Sequence, residues 1–372
     1  MLKYIKSSFG DDIMKKKILA AVSLTLSVLA FASCSSAAAE TVYVGSYWNK
    51  DTTNETPAGK TETLEYIVES DDGSNKLWNN ARKNDNLTFK TVSVTDENGK
   101  TVASSYKTVL TANEDGTYLY KTTLTVYGQY ESNGTTRDVA DVTETETVFG
   151  DYSKGFAPVK SVKTVLNTVP YSTNAAYEFI KTHYRSTTTY EGNDATVKIE
   201  ILDGDQSPEQ FTERAKKETS VSKYNKKAYI DNELMLLLFR NFKHEANMSY
   251  SFRAIEPLSG EIKSVTGSIY TRTSTSADNK NSASLEYLVT SPLLKNVQLG
   301  TSPRHDYSFN VVRMDFSTSG STGQNFMRAY YAQSYEGASE SNSVRHIPVM
   351  MAQPMILNTG FLVYSIKTAA FM

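Results

Sequence analysis

The chain has 372 residues, a formal net charge of -2 and a single cysteine. Aromatic residues at 11% and charged residues at 22% exclude global disorder, which needs few aromatics and a high charge density. The near-neutral balance excludes nucleic-acid binding by bulk charge, and one cysteine excludes a disulfide framework or a cysteine-rich metal site.

The N-terminal segment reads as a secretory signal. Lys15-Lys16-Lys17 follow Met14, which is the better start than Met1. A mostly apolar run from Ile18 to Phe31 comes next, then Ala32-Ser33 before Cys34. Cations, a short apolar run and small residues before a cut form the tripartite export pattern. The run is too short to span a bilayer comfortably. Phe31-Ala32-Ser33-Cys34-Ser35-Ser36 resembles the lipobox of bacterial lipoproteins, with Phe31 where leucine is usual. In that family the cysteine becomes the lipidated first residue of the mature chain. The resemblance therefore implies a signal peptide over 1–33, a lipid on Cys34 and a small, polar stem over 34–41. Ordinary cleavage after Ala37-Ala38-Ala39 is the alternative. Removing 1–33 takes away five lysines and two aspartates, leaving 34 basic and 39 acidic side chains and a net charge of -5. The expected product is an exported, mildly acidic domain. It is lipid-anchored in the bacterial cell envelope, on the outer or cytoplasmic membrane, facing away from the cytoplasm.

Residues 42–372 are expected to form a single large antiparallel β domain, with a possible division into two sub-sheets near residue 170. Trp48 and Trp78, with Tyr43 and Tyr47, offer either a stacking platform or the cap of a barrel end. Leu64, Tyr66 and Val68 alternate with Glu65, Ile67 and Glu69. This period of two marks a half-buried strand. Further strands are expected over 87–94, 118–127, 139–149, 159–168, 179–190 and 195–202, all rich in aromatic, β-branched and threonine residues. Turn residues punctuate them: Asp96-Glu97-Asn98-Gly99, Glu114-Asp115-Gly116, Ser132-Asn133-Gly134 and Gly192-Asn193. Asn-Gly and Asp-Gly accept the positive φ of tight hairpins, so an antiparallel meander is the economical topology.

Two helices interrupt the strands. Ser207-Pro208-Glu209-Gln210 opens a mostly polar one over about 208–218. The second runs over 231–242, capped by Asp231, and its residues 234–239 are all apolar. A helix without a polar face is enclosed by other elements, although a buried strand is the competing reading of so short an apolar run. Strands are expected again over 247–256, 261–271, 284–290, 307–317, 325–335 and 361–368, with a turn at Ser259-Gly260.

No catalytic motif survives inspection. His183, His244, His305 and His346 have no metal-pair spacing and read as scattered. Asp203-Gly204-Asp205 begins like a calcium loop, but Pro208 and Arg214 occupy the positions that require Gly and Glu. Ser220-Val221-Ser222-Lys223 lacks the companion motif of serine acyl-transfer enzymes. Glu144 and Glu146 share one strand face, where solvent is the default neighbour. No cofactor fingerprint is present.

The segment Tyr229 to Arg240, followed by Phe252-Arg253-Ala254-Ile255, resembles a bacterial envelope family of unassigned function. In that family an Asp-capped apolar helix interrupts antiparallel strands. The ending Arg345-His346-Ile347-Pro348-Val349-Met350-Met351 and Leu362-Val363-Tyr364 fits the same family. The likeness covers roughly residues 170–370. Its architecture is similar to that of the lipoprotein carriers LolA and LolB, which implies a curved sheet or half-barrel around the 231–242 helix. Leu234, Leu237, Leu238 and Phe242 would then face the concave side and contact an apolar ligand, unless the helix simply completes the core. The functional expectation is a non-catalytic envelope lipoprotein that binds an apolar or amphipathic ligand or an envelope partner. A structural or adhesive surface protein is the second reading. A glycan or peptide hydrolase without a local motif is the third.

Overall fold

The computed structural model describes residues 55–72, 84–152, 155–172, 177–207, 219–221, 229–244, 248–255, 262–270, 309–318, 327–335 and 346–372. The signal and stem, both tryptophans, the 208–218 helix and the 284–290 strand lie outside them.

The first half of the chain contributes β1 (Thr61–Asp71), β2 (Thr88–Thr91), β3 (Val94–Thr95), β4 (Thr101–Val102), β5 (Ser105–Ala112), β6 (Tyr118–Ser132), β7 (Thr135–Gly150), β8 (Ala157–Ser172), β9 (Tyr177–Glu191), β10 (Asp194–Ile201) and β11 (Thr219–Val221). The second half contributes β12 (Tyr229–Asp231), a 3-10 turn (Asn232–Leu234), α1 (Met235–Phe239), β13 (Ser249–Ile255), β14 (Ile262–Tyr270), β15 (Phe309–Thr318), β16 (Met327–Tyr335), β17 (Pro348–Pro354), a second 3-10 turn (Ile356–Asn358) and β18 (Phe361–Phe371).

Sixteen of these strands form one sheet in the order β11-β10-β9-β8-β7-β6-β5-β1-β18-β17-β16-β15-β14-β13-β12, with β2 on β6 beyond the end of β5. The chain therefore winds outward from a central β1–β18 pair, one half of the sequence on each side. The meander expected from the turns is present, and Asn133 and Gly134 take the positive φ of a tight β6–β7 hairpin. One correction concerns the expectation of a purely antiparallel sheet. β12 pairs with β13 in parallel, because the 3-10 turn and α1 separate them and return the chain in the same direction.

The sheet does not close by hydrogen bonds. It rolls instead, and its β12 end packs against the inner face of β8–β10. Tyr229 and Ile255 join Val165, Tyr184, Ala195, Val197 and Ile199 in an apolar cluster there. Polar contacts continue the seam. Tyr190 donates to Asp231, and Lys163 pairs with Glu233 at 3.0 Å with both side chains buried. This matching has a sequence basis. The inner faces of β7, β8 and β9 carry Thr145, Thr147, Ser161, Lys163, Ser186 and Thr188, all buried. Within the sheet Thr145 pairs with Thr122 and Thr147 with Ser161, but a purely apolar element laid on that face would strand the Lys163 ammonium, which Glu233 meets.

The helix is shorter than the expected 231–242. Asp231 caps the 3-10 turn that precedes it, its Oδ1 accepting from the Glu233 N–H at 2.8 Å, while the helix itself starts at Met235 behind Leu234 with no side-chain cap. It ends early because the amides of Arg240, Asn241 and Phe242 bond three residues back, tightening the last turn. That turn aims Arg240 at Glu62 of β1 and returns Phe242 to the core. Arg240 donates to both Glu62 oxygens, at 2.6 and 2.9 Å.

Two strands carry no period-two signature in the sequence reading. β5 presents Tyr106, Thr108, Leu110 and Ala112 inward, and the threonine weakens the pattern. β17 is buried on nearly every residue and bounded by prolines, so it has no polar alternation to detect.

Candidate functional site

A cavity of about 70 Å³ lies under the inner face of β6, β7 and β8, beyond the reach of α1. Strand alternation builds its wall. Leu124, Val126 and Tyr130 come from β6, Asp141 and Thr143 from β7, and Asn167 and Val169 from β8. Register places Val126 opposite Asp141 and Leu124 opposite Thr143. Phe89 of β2 adds an aromatic wall, made possible by Gly128. A Cβ at that position would lie 2.2 Å from the Phe89 ring.

The end of β17 and the turn after it form the cover. Gln353, Pro354, Met355 and Ile356 line the cavity, with Leu362 of β18 behind them. Leu357 and Asn358 hold φ values of 50° and 58°, the left-handed region. For a leucine this conformation is strained and persists only when neighbours hold it. Asn84 does so, donating from Nδ2 to the Leu357 carbonyl at 2.9 Å and to the Tyr177 hydroxyl at 3.1 Å.

Apolar side chains dominate the lining, yet the polar exceptions converge. Asp141 Oδ1 accepts from the Thr168 N–H at 2.8 Å. Thr143 is buried, and its hydroxyl has no hydrogen-bond partner. Burial pushes the Asp141 carboxyl up to about 7, against the opposing hydrogen bonds from Thr168. The folded chain thus keeps a proton that the unfolded chain releases near pH 4. Stability contributed by this residue is complete below about pH 4 and is lost as pH rises through 7. The melting temperature of Asp141→Asn should therefore fall less between pH 5 and pH 8 than that of the wild type. Parallel slopes would show that Asp141 does not titrate in this window.

The residues expected to contact a ligand sit elsewhere. Leu234, Leu237, Leu238 and Phe242 are all buried in the main core, and none lines this cavity. Leu237 borders only a void of about 10 Å³ between α1 and β1, room for one water at most. The helix fills the centre of the roll and leaves the space beside it.

Two histidines read as scattered are brought together. The rings of His244 and His346 lie 5.0 Å apart. Each contacts a backbone oxygen at the C-terminal end of α1, His244 Nε2 that of Phe239 at 2.7 Å and His346 Nδ1 that of Arg240 at 3.1 Å. Burial, helped by His244, lowers His346 to about 4. Rings that donate to carbonyls at a helix end have a capping role. Among the described residues no group of three or more His, Cys, Asp or Glu side chains could hold a metal ion. Asp205 accepts from the Ser207 N–H and hydroxyl at 2.7 and 2.9 Å, forming the polar turn expected of that segment. Glu144 is exposed, and Glu146 is engaged by Lys121 at 2.6 Å.

The sequence reading did not single out Asp141. Its signal was available: Asp141 lies in the odd-numbered set of a strand whose other members, Val139, Thr143 and Thr145, turn inward.

No protein-family model matches the chain, and no curated protein matches it. Among solved structures, the chain is similar to a beta-barrel-like protein of the domain of unknown function DUF1849 from Brucella abortus. The two are 7% identical with a TM-score of 0.42, over 85% of this chain and 99% of that one.

Proposed function

We propose that this protein is a non-catalytic lipoprotein of the bacterial cell envelope, tethered through a lipid on Cys34, that holds an apolar or amphipathic ligand. The cavity beneath the 354–360 turn carries the reading. Its lining is mostly apolar with a few polar groups, the composition of small-molecule sites, at a volume of about 70 Å³ that suits part of a ligand rather than a whole drug-sized molecule. Several acyl chains on Cys34, at about 0.8 kcal/mol per buried methylene, would hold the domain at a membrane without help from its surface.

Titration with N-phenyl-1-naphthylamine, which fluoresces on entering an apolar site, tests the cavity. Wild type should bind it saturably. Val126→Trp, which fills the space opposite Asp141, should weaken binding by about tenfold or more, equivalent to 1.4 kcal/mol per decade. Equal binding by a variant of unchanged melting temperature would place the probe elsewhere and refute the reading.

A further inference from the structure

We propose that the cavity takes the charged end of a small primary amine, whose ammonium donates to Asp141 while its carbons lie along Leu124, Val126 and Phe89. The inference rests on the cavity being a ligand site and assigns the class of ligand it takes.

The cavity sits at a fork in the sheet. The β7–β8 ladder stops at Val142 and Leu166, whereas β6–β7 pairing continues to Ser132 and Thr135 and β8–β9 pairing to Ser172 and Tyr177. Two features of the β8 edge hold the fork open. The Thr168 N–H, next in line to bond across, is taken by Asp141. Pro170, the following residue on that edge by alternation, has no N–H to offer. Asp141, Asn167, Thr168 and Val169, the first residues past the last pair, line the cavity.

Asp141 is the polar group that this space can use. Thr143 and Asn167 are 1% and 3% exposed, and the Thr143 hydroxyl and Asn167 Oδ1 are closed off. The Gln353 Oε1 accepts from the Tyr364 hydroxyl at 2.8 Å. Asp141 is only half-buried, on the inner face of β7. Thr168 gives its carboxylate a backbone and a hydroxyl hydrogen bond, which together fill about half of its acceptor positions. No lysine, arginine or histidine stands among the described residues of the lining.

Size and charge then select the ligand. A water-sized group needs roughly 10–15 Å³ of such space, so a cavity of about 70 Å³ admits roughly five non-hydrogen atoms. An ammonium brings the missing counter-charge and three donors. It gives up hydration on entry, and a carboxylate that the fold has already desolvated is the partner that offsets this. An alcohol of the same size donates one bond and leaves the carboxylate charge unmatched. A short carboxylate would set two like charges side by side. A divalent cation would need several more oxygen ligands than Asp141 supplies.

NMR titration of the isotope-labelled protein tests the class, with the Thr168 amide as reporter because it bonds Asp141. The ligands are matched four-carbon compounds: n-butylamine, 1-butanol and butyrate. At pH 8 butylammonium should shift the Thr168 amide saturably and bind at least tenfold more tightly than either of the others. At pH 5 Asp141 is protonated. Tyr130 of β6 is kept neutral by burial at both pH values, and β2, β8, β17 and β18 bring no titratable group to the described lining. Butylammonium affinity should therefore fall about tenfold or more from pH 8 to pH 5, with 1-butanol unchanged. Asp141→Asn should bring butylamine within threefold of 1-butanol, and if that variant does not fold, the pH series on the wild type decides alone. The ammonium assignment is overturned, while the cavity stands as a ligand site, by any of three results. These are 1-butanol or butyrate matching butylammonium at pH 8, equal butylammonium affinity at the two pH values, or an undiminished amine preference in Asp141→Asn. Absence of any butylammonium shift in the lining amides also overturns it. If N-phenyl-1-naphthylamine then binds Val126→Trp as well as wild type, the cavity reading falls with it.

Discussion

Replacing Arg240 with methionine should destabilise the protein by about 3–5 kcal/mol, the cost of leaving a buried charge without its partner. Arg240 and Glu62 are 3% and 2% exposed, and the guanidinium grips both carboxylate oxygens. Burial works against the Arg240 charge, and the Glu62 carboxylate beside it more than restores it. The pair also ties the two halves of the chain together, because Glu62 belongs to the central strand β1 and Arg240 follows α1. Removing Arg240 leaves Glu62 without the guanidinium and facing Tyr66, Tyr120 and the apolar side of α1. The double change Glu62→Leu with Arg240→Met removes both charges and should recover most of the loss, since replacing a buried ion pair by apolar groups is often neutral. Urea denaturation of the three proteins measures this. If the double variant loses as much as the single, the harm lies in packing and the electrostatic account of the core fails.

Phe239→Ala should cost a similar amount, about 3–5 kcal/mol. Phe239 is the last residue of α1 and is fully enclosed. Its ring meets those of Phe316, Phe242 and Phe252 at centroid distances of 4.4, 5.0 and 5.3 Å. One side of the site is Gly267 of β14, where a Cβ would stand 2.8 Å from the Phe239 ring. A rolled sheet with a glycine at the point of contact cannot collapse into the space a missing ring leaves, so the cavity term is large. Thermal or urea unfolding should register the loss. Binding of N-phenyl-1-naphthylamine by the folded fraction should survive it, because Phe239 does not line the ligand cavity. Loss of probe binding in step with a mild change in stability would instead place the ligand at the helix.

That contrast marks what the sequence made legible. Alternation in Leu64, Tyr66 and Val68, and in the Tyr118–Tyr127 stretch, identifies strands because one face of each is buried and the other is not. Asn133-Gly134 identifies a hairpin because few other residues accept its dihedrals. The six apolar residues after Glu233 identify the enclosed helix, and Asp231 caps the 3-10 turn that leads into it. Which surface the helix would meet was not legible. Leu234, Leu237, Leu238 and Phe242 are apolar whether they line a hollow or fill a core, and hydrophobicity alone does not separate the two. The filling depends on Tyr66, Tyr250, Phe252 and Phe316, brought to the helix from strands far apart in the chain. The cavity was illegible for the same reason. It joins Phe89, Asp141 and Met355, three residues with no sequence relation, through the β2–β6–β7 pairing and the return of the C-terminal strands. The lack of alternation in β17 hid the cover in particular.

The central claim is that the rolled sheet carries an apolar ligand while a lipid on Cys34 carries the protein. Native mass spectrometry of the protein extracted from its own membrane tests both parts in one spectrum. The account predicts a chain beginning at an acylated Cys34, with an additional mass released on mild activation that matches an apolar or amphipathic compound. That additional mass should be missing from Val126→Trp. An unmodified chain beginning at Glu40, or a released mass that Val126→Trp retains, would contradict it.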